Sequence, residues 1–168
     1  MIHYSQLHHS DFNTFSRIDR RDYSDTWCVV KNGSIVCELR EFKHPGFTES
    51  HWNQMMSGFA DNVQNGDIAL FGAFHAGTLI GLSGLELKKR YSHEKNLFNF
   101  GPMWISEGYR RQGIGKQLFA MVKEEARNRN IQYLYVSATP VPATVKFYIN
   151  EGCVLLNKPD PELFGFIP

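Results

Sequence analysis

The chain has 168 residues, 42% hydrophobic and 21% charged, with 18 basic residues set against 17 acidic ones. That length suits one domain over residues 1–168 with its own core, the apolar content excludes a disordered chain, and a formal net charge of +1 argues against a phosphate backbone or an anionic membrane as main partner. No apolar run approaches the roughly 18–20 residues of a membrane helix, and the opening Met1-Ile2-His3-Tyr4-Ser5-Gln6 lacks a secretory profile, so a cytoplasmic protein is expected.

A short helix is predicted from Asp11 to about Ile18, where Phe12, Phe15 and Ile18 share a face behind a Ser10 cap. Two β-rich runs follow, Thr26–Val30 and Ser34–Leu39, joined through Asn32-Gly33, the pair that favours a two-residue type I′ turn. Residues 26–40 therefore read as a hairpin. With that turn, strand partners sum to 65, which sets Cys28 opposite Cys37 in a non-hydrogen-bonded pair. Reduced thiols are expected there in a cytoplasmic protein. Three cysteines without Cys-x-x-Cys spacing, and seven histidines without a ligand pattern, argue against a metal site.

Gly46–Ser50 reads as a loop into a helix capped at Thr48 or Ser50. Its stripe of Trp52, Met55, Met56 and Phe59 fits core packing, with a pocket wall as the alternative. Ile68–Phe74 and Thr78–Leu87 form a second predicted hairpin around His75-Ala76-Gly77. After a charged loop, Lys88–Lys95, a strand from Leu97 to Ile105 contains Gly101-Pro102; proline cannot donate to a ladder, so a bulge or a splayed strand is expected. Ile114, Leu118, Met121, Val122 and Ala126 then mark one face of a helix from Gly113 to about Arg129, followed by a strand over Ile131–Ser137. Strand, helix, strand implies a parallel crossover. A last helix runs from Ala143 to Glu151 with Gly152 as its left-handed stop, and a final strand is expected at Cys153–Leu156, before Pro159-Asp160-Pro161 and a short tail.

The chemistry concentrates in Arg110-Arg111-Gln112-Gly113-Ile114-Gly115-Lys116. Glycines at a helix start let the backbone approach a ligand closely, and the exposed N–H groups suit a pyrophosphate. A P-loop would need glycine at Arg110 and Ser or Thr at Gln117, and a dinucleotide fingerprint would need glycine at Leu118, so both fail.

What fits is R-x-x-G-x-G, and here the chain resembles the GNAT superfamily of N-acetyltransferases. The apolar strand end Met103-Trp104-Ile105, then Ser106-Glu107-Gly108-Tyr109-Arg110, is similar to the family's V-x-P-E-Y-R-G-x-G-I-G. Phe147-Tyr148 with Glu151-Gly152-Cys153 resembles A-x-x-F-Y-x-x-x-G-F, with Ala143 one position from the expected alanine. The matches lie in residues 68–156, and the family's frequent Asn ahead of the last helix is replaced by Pro140-Val141-Pro142.

The resemblance implies an α/β (α+β) fold, a mixed twisted sheet with a splayed central strand flanked by helices. Residues 68–156 would be the coenzyme-binding core, and residues 1–67, with the 26–40 hairpin, the acceptor-side elements. It further implies acetyl-CoA as co-substrate and no metal. Met103, Trp104, Ile105, Arg110, Arg111, Gln112, Gly113, Ile114, Gly115 and Lys116 would line the coenzyme, Tyr148 would be the general acid, and Glu86 is the candidate base. The expected acceptor is a primary amine of a small molecule or peptide, attacking the thioester directly; no nucleic acid or membrane partner is expected, and a homodimer stays open. Cys153 reads as a packed thiol rather than a nucleophile. The alternatives are a coenzyme-A-binding sensor without turnover and, more weakly, an RNA-binding domain built on Arg110-Arg111.

Overall fold

The structure is a computed structural model describing residues 1–92 and 96–159. Its residues group into two units, Met1–Arg21 with Pro45–Val136, and Asp22–His44 with the described residues from Ser137 onward.

The first unit is built on a five-stranded sheet in the order β1-β4-β5-β6-β7. β1 (Ile2–Gln6) is a strand the sequence reading passed over; it pairs antiparallel with β4 (Ile68–His75) from Ile2↔His75 to Gln6↔Phe71. Its polar residues alternate where the strand borders the sheet, which masks the apolar signature. β4 turns into β5 (Thr78–Ser92) through Ala76 and Gly77, both at positive φ (48° and 75°), the backbone of a type I′ turn. β5 runs past the expected end at Leu87 into the expected charged loop, because it follows β6 (Leu97–Ile105) as far as Ser92↔Leu97; the remainder of that loop, residues 93–95, lies outside the described residues. Between Ser83↔Met103 and Leu85↔Phe100, β6 carries one residue more than β5, so Gly101-Pro102 forms the expected bulge. β7 is only Tyr133–Tyr135, parallel to β6, and shorter than the expected Ile131–Ser137.

One face of this sheet buries Ile68, Leu70, Leu79 and Leu82 with Leu7, Phe15, Ile18 and Trp52. Phe15 lies on the expected short helix, which is of 3-10 type and runs His9–Arg17, and Trp52 on α1 (Glu49–Gln64). Thr48 caps α1, its Oγ1 accepting from the His51 N–H at 3.3 Å. Met55, Met56 and Phe59 pack against the same cluster, so the helix stripe is core. α2 (Ile114–Asn128) covers the opposite face with buried Ile114, Leu118, Phe119, Val122 and Ala126, and the Phe119 ring meets Phe100 edge-on at 5.0 Å.

The second unit holds the hairpin of β2 (Asp22–Lys31) and β3 (Ser34–His44), longer than the expected 26–40, and α3 (Pro142–Asn150). The register sums to 65 from Thr26↔Leu39 to Lys31↔Ser34, with Asn32 and Gly33 at positive φ. Cys28 therefore faces Cys37 with Cα atoms 3.9 Å apart, and their sulfurs are bonded, which corrects the expectation of reduced thiols. The geometric cause is the non-hydrogen-bonded position, where paired strands approach most closely; the Cys28 N–H points away from β3 and donates to the Pro140 carbonyl at 2.7 Å.

α3 begins with Pro142 in its first turn and ends in a Schellman motif, the Gly152 N–H (φ 89°) on the Ile149 carbonyl and the Cys153 N–H on Tyr148. The expected strand at Cys153–Leu156 does not form. The motif takes the Cys153 amide that would begin a ladder, and Val154, Leu155 and Leu156 stay exposed. The tail from Asp160 lies outside the described residues.

Candidate active site

The feature that organises the site is a divergence. β6 and β7 pair only through Leu97↔Tyr133, Phe98↔Leu134 and Asn99↔Tyr135, whereas β6 continues to Ile105 against β5 alone among the described strands. Met103–Ile105 thus carry a backbone edge open toward the β7 side. From Asn99 to Ile105 the strand covers roughly 20 Å at about 3.3 Å per residue, which suits an extended chain of amides laid along it.

The open end leads into the glycine segment. Gly113 is the N-cap of α2, at φ 82°, and its carbonyl accepts from the Gln117 N–H at 3.1 Å. An added Cβ there would meet nothing within 4 Å, so the space beside the backbone is open to an incoming group. Gly115 and Lys116 fall in the first turn of α2, where amide N–H groups lack intrahelical acceptors and attract an anion. Ile114 is 1% exposed and anchors the turn in the core. Arg111 holds φ 61°, a left-handed conformation that a non-glycine residue adopts at a penalty of about 1–2 kcal/mol; its side chain is exposed beside Gln112, whose Nε2 donates to the Gly108 carbonyl at 3.2 Å.

Arg110 is employed differently. Its Nε donates to the Ile105 carbonyl (3.1 Å) and its Nη2 to the Arg21 carbonyl (2.7 Å), fastening the loop to the end of β6 and to the segment after the 3-10 turn. That segment is held twice more, by the Asp19 N–H on Ser106 Oγ (3.0 Å) and the Glu107 N–H on the Asp19 carbonyl (3.1 Å). Arg21 forks onto Asp19, and this hydrogen bond holds the Asp19 carboxyl below its ordinary range. Tyr109 Oη lies 2.9 Å from His75 Nδ1 at the end of β4. The glycine turn is thereby positioned by a braced loop.

The Trp104 carbonyl lies on the β5 side, 3.0 Å from where a Cβ on Gly81 would stand, and its ring turns toward α1, meeting Phe47 at 5.6 Å, Trp52 at 5.8 Å and Phe59 at 5.9 Å. The Arg20 guanidinium stacks over both Phe47 (4.2 Å) and Trp104 (4.4 Å). Met103 lies opposite Ser83, and Ile105 opposite Gly81. Glu86 is half-buried on β5, opposite Ile68.

Tyr148 belongs to the second unit, on α3, and is 9% exposed. Burial raises its phenol well above the ordinary tyrosine range, and the nearby Cys153 thiol adds to the rise. The hydroxyl is therefore neutral and a potential donor at pH 7.

The sequence reading did not single out Asn99, the last β6 residue in register with β7. Its signal was a carboxamide in the middle of Leu97-Phe98-Asn99-Phe100, an apolar run where a polar side chain is out of place. Among the described residues, no group of three His, Cys, Asp or Glu side chains could hold a metal ion, and no helix is long and apolar enough to cross a membrane.

The acetyltransferase (GNAT) family model matches residues 35–151. No curated protein matches by sequence. Among solved structures, similar chains include one from Bacillus anthracis str. Ames, described as a streptothricin acetyltransferase and bound to acetyl coenzyme A, with 16% identity, TM-score 0.66, and coverage of 89% of this chain and 82% of that one. The PaiA N-acetyltransferase of Thermoplasma acidophilum, in complex with coenzyme A, is 19% identical with TM-score 0.60, covering 95% and 93%. AAC(6')-Iy, in complex with the bisubstrate analogue CoA-S-monomethyl-acetylneamine, is 14% identical with TM-score 0.61, covering 95% and 98%. At these identities the likeness is one of fold.

Proposed function

This chain belongs to the GNAT acetyltransferase family, and from that premise we propose that it moves an acetyl group from acetyl-CoA to a primary amine of a small molecule or peptide. The observation that carries this reading is the divergence of β6 from β7 after Asn99↔Tyr135, with the Gly113 cradle at the open end. Pantetheine along Met103–Ile105 and pyrophosphate at the amides of Gln112–Lys116 would use that edge and that helix start, with Arg111 and Lys116 adding positive charge. Arg110, which holds two backbone carbonyls, acts in this reading by keeping the cradle in place. The complexes of structural neighbours with acetyl-CoA, CoA and a bisubstrate analogue support the same assignment.

The amine nitrogen bonds to the acetyl carbon, the carbon–sulfur bond breaks while Tyr148 donates a hydrogen bond to the sulfur, and the proton the nitrogen sheds on becoming an amide ends on the leaving thiolate. No acyl-enzyme is formed. Glu86, directly or through water, takes the proton that the attacking ammonium must lose. Calorimetry with acetyl-CoA, followed by thiol release on addition of amino acids, polyamines, aminoglycosides and peptide N-termini, tests the reading. Binding together with amine-dependent thiol release is expected; absent binding overturns the reading, and binding without transfer marks a sensor. Glu86→Gln is expected to lower kcat with the amine that turns over. An unchanged kcat would assign the base elsewhere.

A further inference from the structure

Two side-chain polar atoms among the described residues are buried with no protein hydrogen-bond partner, Ser83 Oγ and Asn99 Oδ1. Ser83 is wholly buried in mid-sheet, opposite Phe71 and Met103. Asn99 is placed otherwise: it is the last β6 residue paired with β7, at the apex where the two strands part. Successive strand residues face opposite sides. Phe100 packs on Phe119 of α2, so Asn99 projects from the other face, the one that carries α1 and the Trp104 ring. A buried carbonyl oxygen without a donor is uncommon in a folded protein and calls for an explanation at the position where it occurs.

We propose that Asn99 Oδ1 accepts an N–H of the acceptor amine and orients that amine at the apex of the β6–β7 splay. This rests on the acetyl-transfer reading and deepens it, because it names the group that meets the acceptor. A carboxamide oxygen is an acceptor only, so the partner it lacks must bring an N–H or O–H. An amine brings both what the oxygen needs and what the reaction needs. One N–H bonded to Oδ1 fixes the nitrogen, and the lone pair stays free to face the thioester carbon.

A neutral carboxamide also suits this task better than a carboxylate. A negative charge at the same distance would favour the ammonium form and raise its pKa, whereas the nucleophile is the free base. The position further favours acceptors with N–H bonds to give, since one is held by Asn99 while another is lost in forming the amide. A tertiary amine has none.

The test combines two variants with three readouts. Asn99→Leu keeps the side-chain size and removes the orphaned oxygen. It should hold or raise Tm, leave acetyl-CoA affinity within about twofold, and raise KM for the amine that turns over by at least about tenfold. Asn99→Asp should retain transfer with the acidic limb of kcat, which reports the bound amine, moved up by roughly one pH unit. A fall in Tm for Asn99→Leu would mean that the oxygen already has a structural partner, and a loss of acetyl-CoA affinity would mean that it serves the coenzyme; either overturns the proposal. So would an unchanged KM, an unmoved profile, or wild-type protein that binds acetyl-CoA but transfers to none of the amines. Wild-type protein that binds no acetyl-CoA would instead bring down the acetyltransferase reading itself.

Discussion

Tyr148→Phe is expected to lower kcat by on the order of 10²–10⁴ while leaving acetyl-CoA affinity nearly unchanged. The substitution keeps the ring that α3 buries and deletes only the hydroxyl. A free tyrosine has a pKa near 10, and burial pushes that of Tyr148 higher, so the phenol is fully protonated wherever the enzyme would work. The same shift limits what it can do. A phenol well above the pKa of a thiol, about 8.5, gives up its proton uphill, so its main contribution is a hydrogen bond to the sulfur as negative charge develops. This places the expected loss toward the lower end of the range. The shift also has a sign in stability. The folded protein holds this proton more tightly than the unfolded chain does, so the stabilisation is fully present below pH 10 and declines as pH rises above it. Tyr148→Phe should therefore flatten the alkaline limb of a stability curve as well as slow turnover. An unaltered kcat, measured where the chemical step limits the rate, would leave Tyr148 a core aromatic.

The helices of the sheet core and the strands from Ile68 to Ile105 were legible because their signals are local. A face of Ile114, Leu118 and Val122 needs only helical periodicity, and Asn32-Gly33 fixed the hairpin register down to the pairing of Cys28 with Cys37. The tight turn at Gly113 was legible for the same reason, since the strand end, the turn and the helix start are consecutive in the chain. What failed depended on partners distant in sequence. β1 exists because β4 offers it an edge, and its own alternation of Ile2, Tyr4 and Gln6 is too polar to announce a strand. Cys153–Leu156 has the apolar content of a strand but no ladder, once the Schellman motif takes its first amide. The two carbonyls that Arg110 holds belong to residues 105 and 21, contacts that no local pattern announces. Asn99 acquires meaning only from where β7 stops, and no spacing rule within the sequence carries that information.

Substituting Gly113 is expected to remove most coenzyme binding while the protein stays folded. At φ 82° an L-residue carries a backbone penalty of about 1–2 kcal/mol, which for a chain of this size lowers Tm by only a few degrees, at roughly 2–4 °C per kcal/mol. The Cβ itself meets nothing within 4 Å, so the protein offers no steric objection to it. What the Cβ fills is the open space beside the N-terminal amides of α2, where, in the proposed reading, a phosphate approaches the backbone at hydrogen-bond distance. Gly113→Ala should therefore weaken acetyl-CoA by at least about tenfold, a loss of roughly 1.4 kcal/mol. Gly113→Asn separates the two effects, because asparagine tolerates the left-handed region better than alanine. It should recover much of the lost Tm and none of the lost affinity. Gly115→Val sits two residues further, within the first turn of α2, in helical backbone where no positive φ is at stake, and is expected to weaken binding with a smaller change in Tm. Calorimetric affinities that follow Tm across these three variants would mean that the glycines shape the turn and nothing more; affinities that fall independently of Tm would assign them to the phosphates.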